Sequence, residues 1–189
     1  MTLYAIVLYI HVLATLLLFA ALSFEVLMLH RLRQAAGIAE ARLWMDPVPG
    51  LRPMAIGSLI VLFFSGGYLA DRMHVWTSAW PKVAVAAIIL FAALGAASGR
   101  RLRAIRLIGR KEKATQTELA GKLQEGFLKI SLGTRIGLVL GAILLMTAKP
   151  PLLQSLIVLG TSMVMGLAAI SLLLRQQTAL PTTNTARGD

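Results

Sequence analysis

The chain has 189 residues, 57% of them hydrophobic and 14% charged, with a mean hydropathy of +0.76; a soluble domain carries roughly 45–50% apolar and 25% charged residues. This composition excludes a water-soluble globular protein and places the chain among multi-pass membrane proteins. Cysteine is absent, which excludes a disulfide framework, a thiolate metal site, an iron-sulfur cluster, covalent haem attachment and a cysteine nucleophile.

Five membrane-spanning helices are expected, over about residues 3–24, 54–70, 80–98, 130–148 and 152–174. The first run is broken only by His11, Thr15 and Ser23 and has no basic residue before Tyr9. It therefore reads as a retained span rather than a cleaved signal. Gln34 to Met45 has helical composition, so the first helix is expected to continue or to bend along the membrane surface up to the turn Asp46-Pro47-Val48-Pro49-Gly50. Trp80-Pro81 opens the third helix, and Lys149-Pro150-Pro151 leaves room only for a tight turn, which predicts an antiparallel hairpin of the last two helices. Residues 99–129 form a basic loop in which Leu119, Leu123 and Phe127 recur every four positions, the pattern of an amphipathic surface helix. Residues 1–177 are read as one transmembrane domain and 178–189 as a disordered polar tail.

Basic residues orient the spans. Sixteen fall on the side of the 99–129 loop and the C-terminus, against Arg72, Lys82 and Lys149 on the other. The expected topology is N-terminus outside and C-terminus cytoplasmic, in a bacterial inner membrane. The loop carries nine basic and three acidic residues, a charge suited to anionic lipid headgroups at about 1 kcal/mol per basic residue near the surface. Phe127 is the loop's single aromatic residue, too few to interleave those charges as in a nucleic-acid groove, so no nucleic-acid partner is expected.

Helix association in lipid rests on small residues that let backbones approach. Gly133, Gly137 and Gly141 make a doubled GxxxG ridge, Gly95 and Gly99 another, and Ser162 with Gly166 a third small pair. Their expected use is packing within the bundle, with a homodimer or a partner subunit as the other use. Gly66-Gly67 marks a weak point or a close approach.

Ionisable groups within spans are functional candidates by default. His11, Thr15, Leu18, Leu22 and Glu25 fall on one helical stripe. Glu25 needs a neutralising partner, and Arg135 is expected to supply it as a structural clamp, with Lys129 as the alternative that matches Glu25 better in depth. Lys82 sits behind Trp80, and Met73-His74 adds two potential metal ligands nearby.

The motifs Leu8-Tyr9-Ile10-His11-Val12, Gly66-Gly67-Tyr68-Leu69 and Trp80-Pro81-Lys82 resemble small membrane proteins grouped with copper-resistance protein D and the HemJ-type protoporphyrinogen oxidases. Glu25 followed by Arg31 and Arg33, and Leu145 to Pro150, look more like uncharacterised bacterial integral membrane proteins near that group. For the HemJ type the resemblance implies a haem b or porphyrin site on a first-helix histidine and a third-helix lysine, here His11 and Lys82; no histidine follows between Lys82 and Arg106. The residues themselves favour a non-catalytic membrane protein, a subunit or accessory factor of a larger assembly. A haem, porphyrin or metal-binding redox protein is the rival.

Overall fold

The structure, a computed structural model, describes residues 2–34, 50–109 and 126–175. Five α-helices make up the described fold: α1 (Leu3–Gln34), α2 (Leu51–Arg72), α3 (Ala79–Gly109), α4 (Gly126–Ala148) and α5 (Leu152–Arg175). All five are long and apolar enough to cross a membrane. The protein is an all-α membrane bundle.

Two helices run furthest beyond their apolar runs. α1 continues to Gln34 and α3 runs on to Gly109, so the basic segment from Gly99 to Gly109 is helix rather than loop. A charged, straight-chain sequence such as Arg100-Arg101-Leu102-Arg103-Ala104 is good helix material once a preceding helix has met the cost of nucleation. Of the expected surface helix, Phe127 falls in the first turn of α4, its ring 3.9 Å from the Arg101 guanidinium. Leu119 and Leu123, the stretch 35–49 with its turn, and the tail lie outside the described residues.

The joints have specific backbone chemistry. Gly50 precedes α2 with φ 89°, a left-handed conformation that costs glycine nothing. The α4–α5 turn is the tight hairpin expected. Lys149 closes α4 with φ 48° while its N–H donates to Leu145 O at 2.9 Å. Pro150 and Pro151 cannot extend the helix, and Ser155 Oγ, fully buried, donates to Pro150 O at 3.1 Å.

α4 is the central helix. Over its most apolar stretch 56% of residues are buried, against 11% for α5. The glycine ridge of α4 explains its contact with α5: a Cβ on Gly137 would collide with the backbone of Ser162 and Met163, and one on Gly166 with the backbone of Gly133 and Gly137. Gly141 faces side chains instead, those of Leu159 and Ser162. The lack of a side chain at Gly137 and Gly166 lets two backbones meet, which is how helices associate where lipid supplies no hydrophobic drive. α3 joins α4 through Ser98 and Ser131, whose hydroxyls lie 2.6 Å apart and buried. α1 packs chiefly along α2, and α2 meets α3 only sparsely. The bundle is thus an α1–α2 pair set against an α3–α4–α5 group, with a seam between them.

Candidate functional site

Every singled-out ionisable group that the bundle buries lies on this seam. α1 turns one stripe to it, His11, Ala14, Leu18, Leu22, Leu29 and Leu32, each no more than 6% exposed, with Glu25 on the same face. Spacings of three, four and seven place these residues on one side of a helix.

Near the N-terminal end of α1, His11 is buried and its Nδ1 lies 2.8 Å from Ser65 Oγ of α2. That hydroxyl donates to the carbonyl of Val61, 2.5 Å away, which leaves it an acceptor for the imidazole and assigns the Nδ1–H tautomer. The ring rests on Gly66, where a Cβ would come within 3.2 Å of Cε1. Gly66 is therefore a close approach, made by a side chain. His11 forms the floor of a cavity of about 230 Å³ whose rim carries Tyr4, Met73, Trp76, Trp80 and Lys149. A small void of about 50 Å³, lined by His11, Leu18, Phe91 and Met146, continues the seam inward.

At the opposite end of the seam, Arg135 of α4, buried, meets Glu25 of α1. Its Nη1 donates to both carboxylate oxygens at 2.8 Å. The guanidinium stacks 4.6 Å from the centre of the Phe91 ring and lies over Gly95, 3.6 Å from where a Cβ would sit. Arg52, at the start of α2, reaches across to α3 in the same manner, with Nη2 3.2 Å from where a Cβ of Gly99 would sit. The Gly95–Gly99 ridge thus receives two arginine side chains rather than a neighbouring backbone. Arg52, Arg135 and Glu25 border a cleft of about 370 Å³ whose other walls are apolar.

The remaining candidates do not converge. Lys82 is exposed and is not on the wall of the His11 cavity, because Trp80, Pro81, Ala84 and Val85 take the inward positions of that turn. A tetrapyrrole held between His11 and Lys82 does not fit this arrangement. Met73 lines the His11 cavity but His74 does not; His74 is exposed in the α2–α3 turn. Among the described residues no three His, Cys, Asp or Glu side chains come together as a metal site would need.

Ser65, Ser98 and Ser131 carry hydrogen bonds at the helix interfaces, and Arg52 lies across the α2–α3 interface against Gly99; periodicity and charge in the chain do not single out these four as interface residues. Ser65 had a legible signal. It lies seven residues from the Arg72 end of α2, ~10 Å, and His11 eight residues, ~12 Å, into α1, so an antiparallel pair brings them level. No protein-family model, curated protein or solved structure shows a significant match to the chain.

Proposed function

We propose that this membrane protein is a non-catalytic subunit or accessory factor of a larger assembly in a bacterial inner membrane, docked through the outer face of α5. The observation that carries this reading is the exposure of α5. It packs on α4 with one face and leaves Gly160, Thr161, Val164 and Ala168 exposed on the other, an i, i+4, i+8 stripe with small residues at both ends. A Cβ on Gly160 would meet nothing within 4 Å, so a second backbone has room to approach there. Thr161 Oγ1 is satisfied by the carbonyl of Ile157 at 2.8 Å and does not oppose an apolar partner.

The buried polar groups support a structural role as well. Glu25 and Arg135 neutralise each other, and His11 is held by Ser65. The positive-inside bias orients the His11 cavity toward the outside and the Glu25 end toward the cytoplasm.

The absence of cysteine makes the test clean. Val164→Cys, cross-linked in native membranes with a short bifunctional maleimide-to-amine reagent, is expected to yield one discrete adduct, with a partner polypeptide or a second copy. Phe64→Cys, on the exposed face of α2, is expected to yield none. Val164→Cys remaining monomeric under the same conditions, in a protein that elutes alone after mild solubilisation, overturns the reading.

A further inference from the structure

The geometry points to the cleft between α2 and α3 as a binding site for a membrane amphiphile with an anionic headgroup, the headgroup held between Arg52 and Arg135 and the hydrocarbon chain laid along the apolar walls. The site concerns the α2–α3 side of the bundle and stands independently of the assembly reading, which concerns α5.

Charge comes first. Three charged residues border the cleft, Arg52, Arg135 and Glu25, and leave it one net positive charge. Arg135 is 6% exposed, yet only Nη1 is spent on Glu25; Nε is buried without a hydrogen-bond partner among the described residues. Arg52 has no carboxylate partner among the described residues. Both guanidinia lie on the same face of α3, against Gly95 and Gly99, which are one turn or ~6 Å apart along the axis. Two like charges on successive turns, with the one carboxylate of the cleft paired to Arg135 Nη1, form a seat for a further anion. The planar donor forks of arginine suit a phosphodiester or a carboxylate.

The remaining walls decide what carries that anion. Leu18, Leu22, Leu59 and Phe91 line the interior, and Ile56 and Ile60, each about half exposed, form the lip on the α2 side. The lip lies within the apolar length of α2, where the surroundings are acyl chains, so entry is lateral from the bilayer. A volume of about 370 Å³ falls in the ~300–1,000 Å³ range of small-molecule sites. A transmembrane helix ~10 Å wide and ~27 Å long occupies on the order of 2,000 Å³, too much for this space.

The test uses the full-length protein in a neutral maltoside detergent, with native mass spectrometry to count bound lipid. Dioleoylphosphatidylglycerol is expected to bind at least tenfold more tightly than dioleoylphosphatidylcholine. Arg52→Gln should reduce that preference at least fivefold, whereas Arg72→Gln, at the other end of α2, should leave it unchanged. Ile60→Trp, which fills the lip and keeps both arginines, should reduce phosphatidylglycerol binding to a similar extent. Oleate competing with phosphatidylglycerol identifies a carboxylate as a natural headgroup and supports the site; oleate failing to compete assigns it to phosphodiesters. Equal binding of the two phospholipids overturns the proposal, as does full retention of the preference in both Arg52→Gln and Ile60→Trp. Inorganic phosphate displacing phosphatidylglycerol at equal concentration also overturns it, because the chain then contributes nothing. A photo-cross-linker on Ile60→Cys that captures a polypeptide and no lipid in native membranes assigns the cleft to a protein and overturns it as well.

Discussion

Arg135 of α4 and Glu25 of α1, 110 positions apart in the chain, share one Nη1 with two carboxylate oxygens at 2.8 Å each. This contact joins the α1–α2 pair to the central helix, against which α1 has little direct backbone packing. Removing one partner of a fully buried pair costs about 3–5 kcal/mol, since it strands the other charge. The Glu25 side chain is 31% exposed, which screens the interaction and lowers the expected cost of Glu25→Gln to about 2 kcal/mol. A cycle of Glu25→Gln, Arg135→Gln and the double variant, followed by detergent unfolding, should give a coupling of about 1–2 kcal/mol. Coupling near zero removes the clamp.

The imidazole of His11 and the hydroxyl of Ser65 form the corresponding tie at the other end of the seam. Ser65→Ala deletes an acceptor from a buried ring N–H and should destabilise by about 1 kcal/mol. His11→Ala also opens a void beside Gly66 and should cost about 2–3 kcal/mol. Thermal unfolding in detergent reads both, and equal stability of Ser65→Ala and the parent sequence discards the hydrogen bond as a stabilising contact.

Glycines in the bundle separate sharply by what surrounds them. Gly137→Ala forces a methyl into the backbone of α5 and should cost about 3 kcal/mol, by splaying the hairpin. Gly57, in α2, has nothing within 4 Å of a Cβ, so Gly57→Ala should stabilise by about 0.5–1 kcal/mol through helix propensity alone. Equal effects at the two positions contradict the close α4–α5 approach.

His74 holds φ 51° in the turn between α2 and α3, a left-handed conformation that costs a side-chain-bearing residue about 1–2 kcal/mol. Glycine relieves it but gains chain entropy when unfolded, so His74→Gly should stabilise by about 0.5–1 kcal/mol net. A melting temperature that falls shows that the exposed imidazole makes a contact outweighing the strain.

Orientation is testable apart from any of these. A reporter active only in the cytoplasm should work when fused after Arg110 and fail when fused between His74 and Thr77. The reverse pattern inverts the topology and turns the Glu25 end of the seam to the outside.

The five helices, the α4–α5 hairpin and the Gly133–Gly137–Gly141 ridge are all legible in the chain because each is a local property: an apolar run long enough for a bilayer, a Lys-Pro-Pro stop, glycines recurring on one face. The stripe from His11 to Glu25 is local too, since helical periodicity alone puts those residues on one side of α1. What lies opposite a stripe is not local. Counting residues from Leu3 and from the α4–α5 turn puts Glu25 ~33 Å and Arg135 ~21 Å along their helices, yet the two touch, so stagger, tilt and the reach of an arginine take up ~12 Å that a residue count ignores. Lys82 shares a short segment with Trp80 and Ala84, and only the rotation of α3 against its neighbours turns those two inward and leaves the lysine outside. Gly95 and Gly99 have the spacing of a helix-packing motif, but the distance of α2 from α3 turns the same gap into a berth for Arg52 and Arg135. Sequence determines which faces a helix owns; tertiary structure decides which faces meet, because that depends on relative rotation, stagger and spacing, and the residues of one helix do not encode these by themselves.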